Sequence, residues 1–263
     1  MLRIAHLTDI HMKPKPRAMR GLEQTLIAAK QADLIITGGD QVMDAWDCDQ
    51  DKATAQWRAY HQVMAGNGVP VRHTLGNHDH WIGKGADYAK QWACDELGLE
   101  KPYTSWDQGG WHLVTLDSTL PLKKGGYTAR LDGDQFEWLS ADLAATNLPT
   151  CIVSHIPILS VTPYLDGDNE ASGDWRVPGA WMHIDARRIK DLFLQHPHVK
   201  LCLSGHIHLR DEVIYNGVHY FCNGAVCGGW WKGDYQECPP GFAFVELRDD
   251  GTFSNEYIAV PEE

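Results

Sequence analysis

Val69-Pro70-Val71-Arg72-His73-Thr74-Leu75-Gly76-Asn77-His78-Asp79 carries an apolar segment straight into a polar turn. Val69 to Leu75 reads as a buried strand with Pro70 at its entry. Gly76 lets the chain turn sharply where that strand ends. An amide, an imidazole and a carboxylate follow in a row. Asn77 can offer an oxygen to a cation, His78 can ligate or move a proton, and Asp79 can hold an imidazole ring in one orientation. Alone, such a tetrapeptide is a polar turn. Its meaning depends on what stands at the ends of the other strands.

The chain of 263 residues is long enough for a sizeable core and is read as one domain, 1–263. Hydrophobic content of 43% and charged content of 22% describe an ordinary globular protein. Net charge is −12 and no Lys/Arg run or basic stripe occurs, which disfavours nucleic acid as a partner. Seven scattered cysteines form no C-x-x-C pair or regular framework, and Cys151 and Cys202 lie inside apolar runs. That usage points to a reducing compartment. No segment approaches membrane-spanning length and no signal-like segment opens the chain, so a soluble cytoplasmic protein is expected, with its oligomeric state open.

Short apolar strands alternate with helical patterns along the first hundred residues. Strands are expected at Leu2 to Leu7, Asp33 to Thr37 and before Gly76, with helices near 21–31, around Trp57 and Tyr60, and near 86–98. This order implies parallel pairing and an α/β core. Further strands read at Trp111 to Leu116, Thr150 to Ser154 and Val199 to Leu203, with helices around Leu139 and Ile189. Asn216-Gly217 and Asp249-Asp250-Gly251 each sit between apolar runs and signal hairpins, so the C-terminal part reads as antiparallel. The expected architecture is two sheets packed face to face with helices outside.

Asp9 with His11, Asp40, Asn77 with His78, His155, and His206 with His208 each follow a separate apolar strand. In open α/β sheets, ligands bind at the carboxyl ends of strands. Mixed imidazole and carboxylate donors suit Zn, Fe or Mn, and the absence of Cys from the set argues against a structural zinc knot. Two such cations bridged by a carboxylate polarise a phosphoryl group and generate hydroxide near neutral pH.

In this order, Asp9-Ile10-His11, Gly39-Asp40, Gly76-Asn77-His78-Asp79, His155 and Gly205-His206-Ile207-His208 resemble the calcineurin-like metallophosphoesterases, over residues 1 to about 210. The local sequence looks most like the bacterial branch containing cyclic-nucleotide and glycerol phosphodiesterases. The resemblance implies a four-layer α/β/β/α sandwich of two mixed sheets flanked by helices. It implies one metal on Asp9, His11, Asp40 and His208 and another on Asp40, Asn77, His155 and His206, with Asp40 bridging. His78 then stands near the leaving-group oxygen as proton donor, with Asp79 orienting its ring. The expected activity is hydrolysis of a small-molecule phosphodiester by a metal-bridging hydroxide. A phosphomonoesterase or protein phosphatase on the same centre is the alternative. A non-catalytic scaffold is disfavoured because every ligand is present.

Other residues are read more plainly. His6, His73 and His80 are taken as structural, as are His112, His183, His196, His198 and His219. Asp44, Asp47, Asp49 and Asp51 read as a solvated acidic loop, since the Gly and terminal Glu of a calcium loop are missing. The 156–183 loop is expected to wall the pocket. Within it, Trp175-Arg176 either clamps a substrate or forms a surface salt bridge. Trp230-Trp231 is read as pocket wall, and Cys222 and Cys227 as packing.

Overall fold

A computed structural model describes residues 1–122, 126–165, 172–174 and 176–260. Alternation along the central strands sorts their side chains into layers. In β1 (Leu2–Leu7) and β2 (Leu34–Thr37), Leu2, Ile4, Leu34 and Ile36 enter one buried cluster, whereas Ala5, Leu7 and Ile35 enter another. The same split runs through β5 (Trp111–Leu116), β8 (Thr150–Ser154) and β9 (Val199–Ser204). Leu113, Cys151, Val153, Leu201 and Leu203 join Leu2 and Ile4 between the sheets, while Val114, Ile152 and Cys202 face the other way.

Helices cover both outer faces. Ala5 and Leu7 share a cluster with Leu22 and Leu26 of α1 (Pro16–Ala28), Trp57 and Tyr60 of α2 (Gln50–Met64), and Ala93 and Leu97 of α3 (Ala86–Leu97). Ile152 and Cys202 pack with Leu139 and Leu143 of α4 (Gly133–Ala145), and with Ile189, Leu192 and Phe193 of α5 (Ala186–Gln195). The expected four-layer α/β/β/α sandwich is therefore the observed one.

The first sheet has the order β13 (Phe253–Ala259), β12 (Gly241–Leu247), β1, β2, β3 (Val71–His73). The second has the order β10 (Arg210–Tyr215), β11 (Val218–Asn223), β9, β8, β5, β4 (Thr104–Gln108), and β6 (Thr119–Pro121) pairs with β7 (Tyr127–Ala129) apart from both. β1, β2 and β3 are parallel, as are β5, β8, β9 and β11. Their carboxyl ends therefore bring the loops after β1, β2, β3, β8 and β9 to one rim.

Three sequence expectations change in detail. β3 is three residues long and only half-buried, because it forms the sheet edge and has a partner on one side alone. α1 starts at Pro16 rather than near 21, with proline in the first turn where its missing N–H costs nothing. The Asn216-Gly217 hairpin forms with both residues at positive φ (50° and 78°), yet β11 then runs parallel to β9, so this end is not wholly antiparallel. Among the described residues, no helix is long and apolar enough to cross a membrane.

Candidate metal centre

The rim loops are knitted by backbone hydrogen bonds that continue past the strands. Asp9 N–H donates to the Gly39 carbonyl (3.1 Å), His11 N–H to Asp40 (2.9 Å), Gly205 N–H to His155 (3.0 Å) and Cys227 N–H to Asp9 (3.1 Å). Within these loops Asp9, His11, Asp40, His206 and His208 all adopt positive φ, between 46° and 70°. Non-glycine residues seldom sit there, and each costs on the order of 1–3 kcal/mol unless its surroundings enforce it. Two glycines make the crowding possible. A Cβ on Gly76 would lie 2.2 Å from the Asp40 nitrogen, and one on Gly205 would lie 1.9 Å from Thr8 Oγ1 and 2.1 Å from Asp9 Oδ2.

Four imidazoles each spend one nitrogen on a backbone carbonyl. His155 Nδ1 pairs with Gly38 O (2.8 Å), His208 Nδ1 with Gly228 O (2.8 Å), His11 Nδ1 with Met43 O (3.3 Å) and His206 Nε2 with Ala180 O (2.9 Å). A carbonyl can only accept, so each of these nitrogens carries a proton, and the other nitrogen of each ring is left to face the centre. Those nitrogens meet one another and the oxygens of the neighbouring loops. His11 Nε2 and His208 Nε2 are 3.1 Å apart. His155 Nε2 lies 3.2 Å from Asn77 Oδ1 and 3.2 Å from Asp40 Oδ2, and Asp40 Oδ2 lies 3.6 Å from His11 Nε2. Asp9 Oδ1 is buried, with His208 Nε2 facing it at 3.2 Å. Acceptors converging in this way, away from water, need positive charge among them. The donor set thus fits cations, with nitrogen and oxygen ligands of the kind transition metals take.

Burial holds His11 and His206 down to about 3, the direction expected for rings that stay neutral. His155 behaves oppositely: burial works against its charge, but Asp40 and Asp9 push it up to about 9. Burial likewise opposes ionisation of Asp9 and Asp40, and the facing imidazoles overcome it and hold both well below the usual carboxylate range. Without cations, protons serve as the counter-charge.

His78 is one-third exposed, with Nε2 4.0 Å from Asp40 Oδ2 and its own backbone N–H donating to Asp40 Oδ1 (2.8 Å). The expected partnership with Asp79 is not what the structure shows. Asp79 is fully buried, and its oxygens accept backbone N–H groups from Gly76 (2.8 Å), Asp40 (3.0 Å), Gln41 (2.8 Å) and Val42 (3.3 Å). Burial and the nearby Asp40 charge push the Asp79 carboxyl up to about 7, against the pull of the Gly76 and Val42 donors. The carboxylate facing the His78 ring is Asp44, 3.6 Å from Nδ1, an ion-pair distance rather than a hydrogen bond. Burial lowers the His78 pKa, and Asp40 with Asp44 more than offsets it, leaving a net rise. Sequence reading put Asp44 in a solvated acidic loop. Nothing in its local sequence marks it out, since the contact with His78 is made only through the fold.

A cavity of about 250 Å³ opens above these groups, lined by His11, Asp40, Asn77, His78, His206 and His208 together with Tyr127, Trp181, Ile207, Trp230 and Tyr235. Trp230-Trp231 divides: Trp230 lines the cavity, while Trp231 is buried in the core beneath it. Trp181 brings the far end of the 156–183 loop to the wall. Trp175 lies outside the described residues, and Arg176 is exposed, 3.4 Å from Asp174. Cys227 is buried behind His208, 4.0 Å from Nδ1, the nitrogen turned away from Asp9.

The chain belongs to the calcineurin-like phosphoesterases, whose family model matches residues 2–210. It is 26% identical to a probable cyclic nucleotide phosphodiesterase of a Synechococcus strain, across 97% of this chain and 91% of that one. It is 25% identical to the 3′,5′-cyclic adenosine monophosphate phosphodiesterase CpdA of Escherichia coli K12, across 97% of this chain and 88% of that one. A dimetal phosphatase from Danio rerio superposes with a TM-score of 0.68 over 99% of each chain; at 13% identity that likeness shows the fold alone. Family and relatives together make the protein a metal-dependent phosphoester hydrolase.

The proton-filled centre has a measurable consequence. His155 binds a proton below about 9 in the cation-free protein, so a cation must displace it there. Affinity for Mn²⁺ or Zn²⁺ should rise with pH from 6 towards 9, and calorimetry in buffers of different ionisation enthalpy should detect proton release. The two aspartates near His78 should also separate. Asp79→Asn loses acceptors for buried backbone donors and should lower the unfolding midpoint. Asp44→Asn should fold normally and move the alkaline limb of the pH–rate profile to lower pH, because it removes a charge that raises the His78 pKa.

Proposed function

We propose that the protein is a dinuclear phosphodiesterase acting on small molecules. Asp9, His11, Asp40 and His208 hold one cation, and Asp40, Asn77, His155 and His206 hold the other. The observation that carries this reading is Asp40 Oδ2, which lies 3.6 Å from His11 Nε2 on one side and 3.2 Å from His155 Nε2 on the other. Mixed imidazole, carboxylate and amide donors favour Mn, Fe or Zn. When bound, such a pair supplies positive charge to phosphoryl oxygens and acidifies water.

The rest of the chemistry belongs to the chain. The four carbonyl-paired imidazoles fix where the donors point. Asp40 also holds the backbone of His78, so the proton donor and the shared ligand keep a fixed relation. His78, partly exposed to the cavity, delivers a proton to the departing oxygen, and Asp44 keeps its ring charged and oriented. Preference for a diester is supported by the cavity lining. Among the described residues it contains no Lys or Arg to meet the second charge of a monoester. The relatives named as cyclic nucleotide phosphodiesterases support the same substrate class.

Protein purified without chelator should contain close to two transition-metal ions per chain, and Asp40→Asn should lower occupancy of both sites. Retention of both metals with normal activity would remove Asp40 as the shared ligand. His78→Ala should slow alkyl or nucleoside diesters by roughly 10²–10⁴-fold and activated nitrophenyl esters much less. The measurement is kcat against leaving-group pKa with metal content as control. An equal loss across all leaving groups would assign His78 to charge stabilisation instead.

A further inference from the structure

We propose that Trp230, with Tyr235 beside it, forms a stacking subsite for a flat aromatic ring carried by the substrate. The inference rests on the phosphodiesterase reading above and adds to it the nature of one ester substituent.

Trp230 is 38% exposed although it stands at the metal centre, with its ring 4.6 Å from that of His208 and tilted 34°. Tyr235 meets Trp230 edge-on, with centroids 5.3 Å apart at 80°. Surface normally accommodates a partly exposed tryptophan at random, but this one is set in place at a conformational cost. Trp230 and Trp231 are consecutive residues at positive φ, 55° and 66°, a region that bulky side chains rarely enter. Such strain persists only where surroundings over-determine it, and it gathers at functional sites.

Trp231 is what enforces it. Its indole N–H donates to the His11 carbonyl (3.0 Å), its backbone N–H donates to Cys227 (2.8 Å), and its side chain is buried. The ring lies so close to α1 that a Cβ on Gly21 would come within 2.1 Å of it. Lys13 adds a bond from Nζ to the Trp230 carbonyl (3.3 Å). Trp231 thus anchors the turn in the core, and the turn holds Trp230 out at the cavity.

The chemistry of the wall selects the guest. Tyr127 and Trp181 line the same cavity, and among the described residues its lining holds no Lys or Arg. Apart from the metal centre and His78, a second phosphate or a carboxylate finds no counter-charge among the described residues of that lining. A neutral planar ring finds aromatic faces and edges, which prefer offset or edge-to-face contact. A nucleobase and a simple aryl group share this chemistry.

The test keeps 4-nitrophenolate as leaving group and varies the substituent that stays on phosphorus: methyl, phenyl or thymidin-5′-yl. The metal-loaded enzyme should show kcat/KM for the ring-bearing esters roughly tenfold or more above the methyl ester, the scale of one base–aromatic stack. Trp230→Leu should collapse that ratio towards one, chiefly through KM, and Trp230→Phe should keep part of it. A ratio raised only by thymidinyl identifies a nucleoside as the guest, and one raised by both identifies any flat ring. Equal loss on all three esters in Trp230→Leu would make Trp230 a brace for His208 and overturn the subsite, as would absence of any ring preference in the wild type. If monoesters prove the better substrates, the diester reading fails by itself. Inhibition by phenyl phosphate against methyl phosphate, in wild type and Trp230→Leu, then judges the subsite independently.

Discussion

One carboxylate holds the rim together without facing the cavity. The oxygens of Asp79 take backbone N–H groups from Gly76 and from Asp40, Gln41 and Val42, tying the turn after β3 to the loop after β2. That tie, together with the bonds from Asp9 and His11, holds Asp40 at positive φ with its oxygens between three imidazoles. Hydrogen bonds of this kind are worth about 0.5–1.5 kcal/mol each to a neutral acceptor and about 1.5–3 kcal/mol to a charged one, so four of them reach the scale of the strain they oppose. The structural acid is buried so that the functional acid can be aimed.

This division explains why the centre is rigid yet hungry for charge. Each of the four carbonyl-paired imidazoles of the rim has given one nitrogen to a carbonyl supplied by a neighbouring loop. Ring orientation therefore does not depend on a bound cation. What the centre calls for is positive charge: Asp9 Oδ1 and Asp40 Oδ2 face His208 and His155, and against the effect of burial both rings are pushed towards their protonated forms. A cation entering such a site reorganises little, which is the condition for electrostatic catalysis to act at full strength.

The layers and the rim were legible in the sequence because they depend on local signals. Short apolar runs mark the strands, and rare polar residues immediately after them mark the rim. Asp9, His11, Asp40, Asn77, His155, His206 and His208 were found in that way, and the structure brings them together. Asp79 and Asp44 were not legible in their roles. Asn77–Asp79 is a 3₁₀ turn, in which neighbouring side chains diverge by roughly 120°. Adjacency to His78 in the chain therefore placed Asp79 away from the His78 ring. Asp44 opens an acidic run that looks like ordinary surface, and only the fold brings it to His78. Trp230 and Trp231 likewise look equivalent until backbone conformation sends one to the cavity and the other to the core. β4, β6 and β7 carried no clear signal, being short, polar or both.

The position of β1 sets the order in which the molecule can be made. β1 precedes the other described strands in the chain, yet it lies between β2 and β12, and β12 comes after all of them except β13. The turn holding Trp231 against α1 also comes late, as does the Gly228 carbonyl that orients His208. A nascent chain that has completed every rim ligand still lacks the strand that closes β1 and the carbonyl that aims His208. Its β1 edge stays open to mispairing until the C-terminal hairpin arrives. Closure of the rim therefore waits for β12 and β13, which complete the sheet around a strand made long before them.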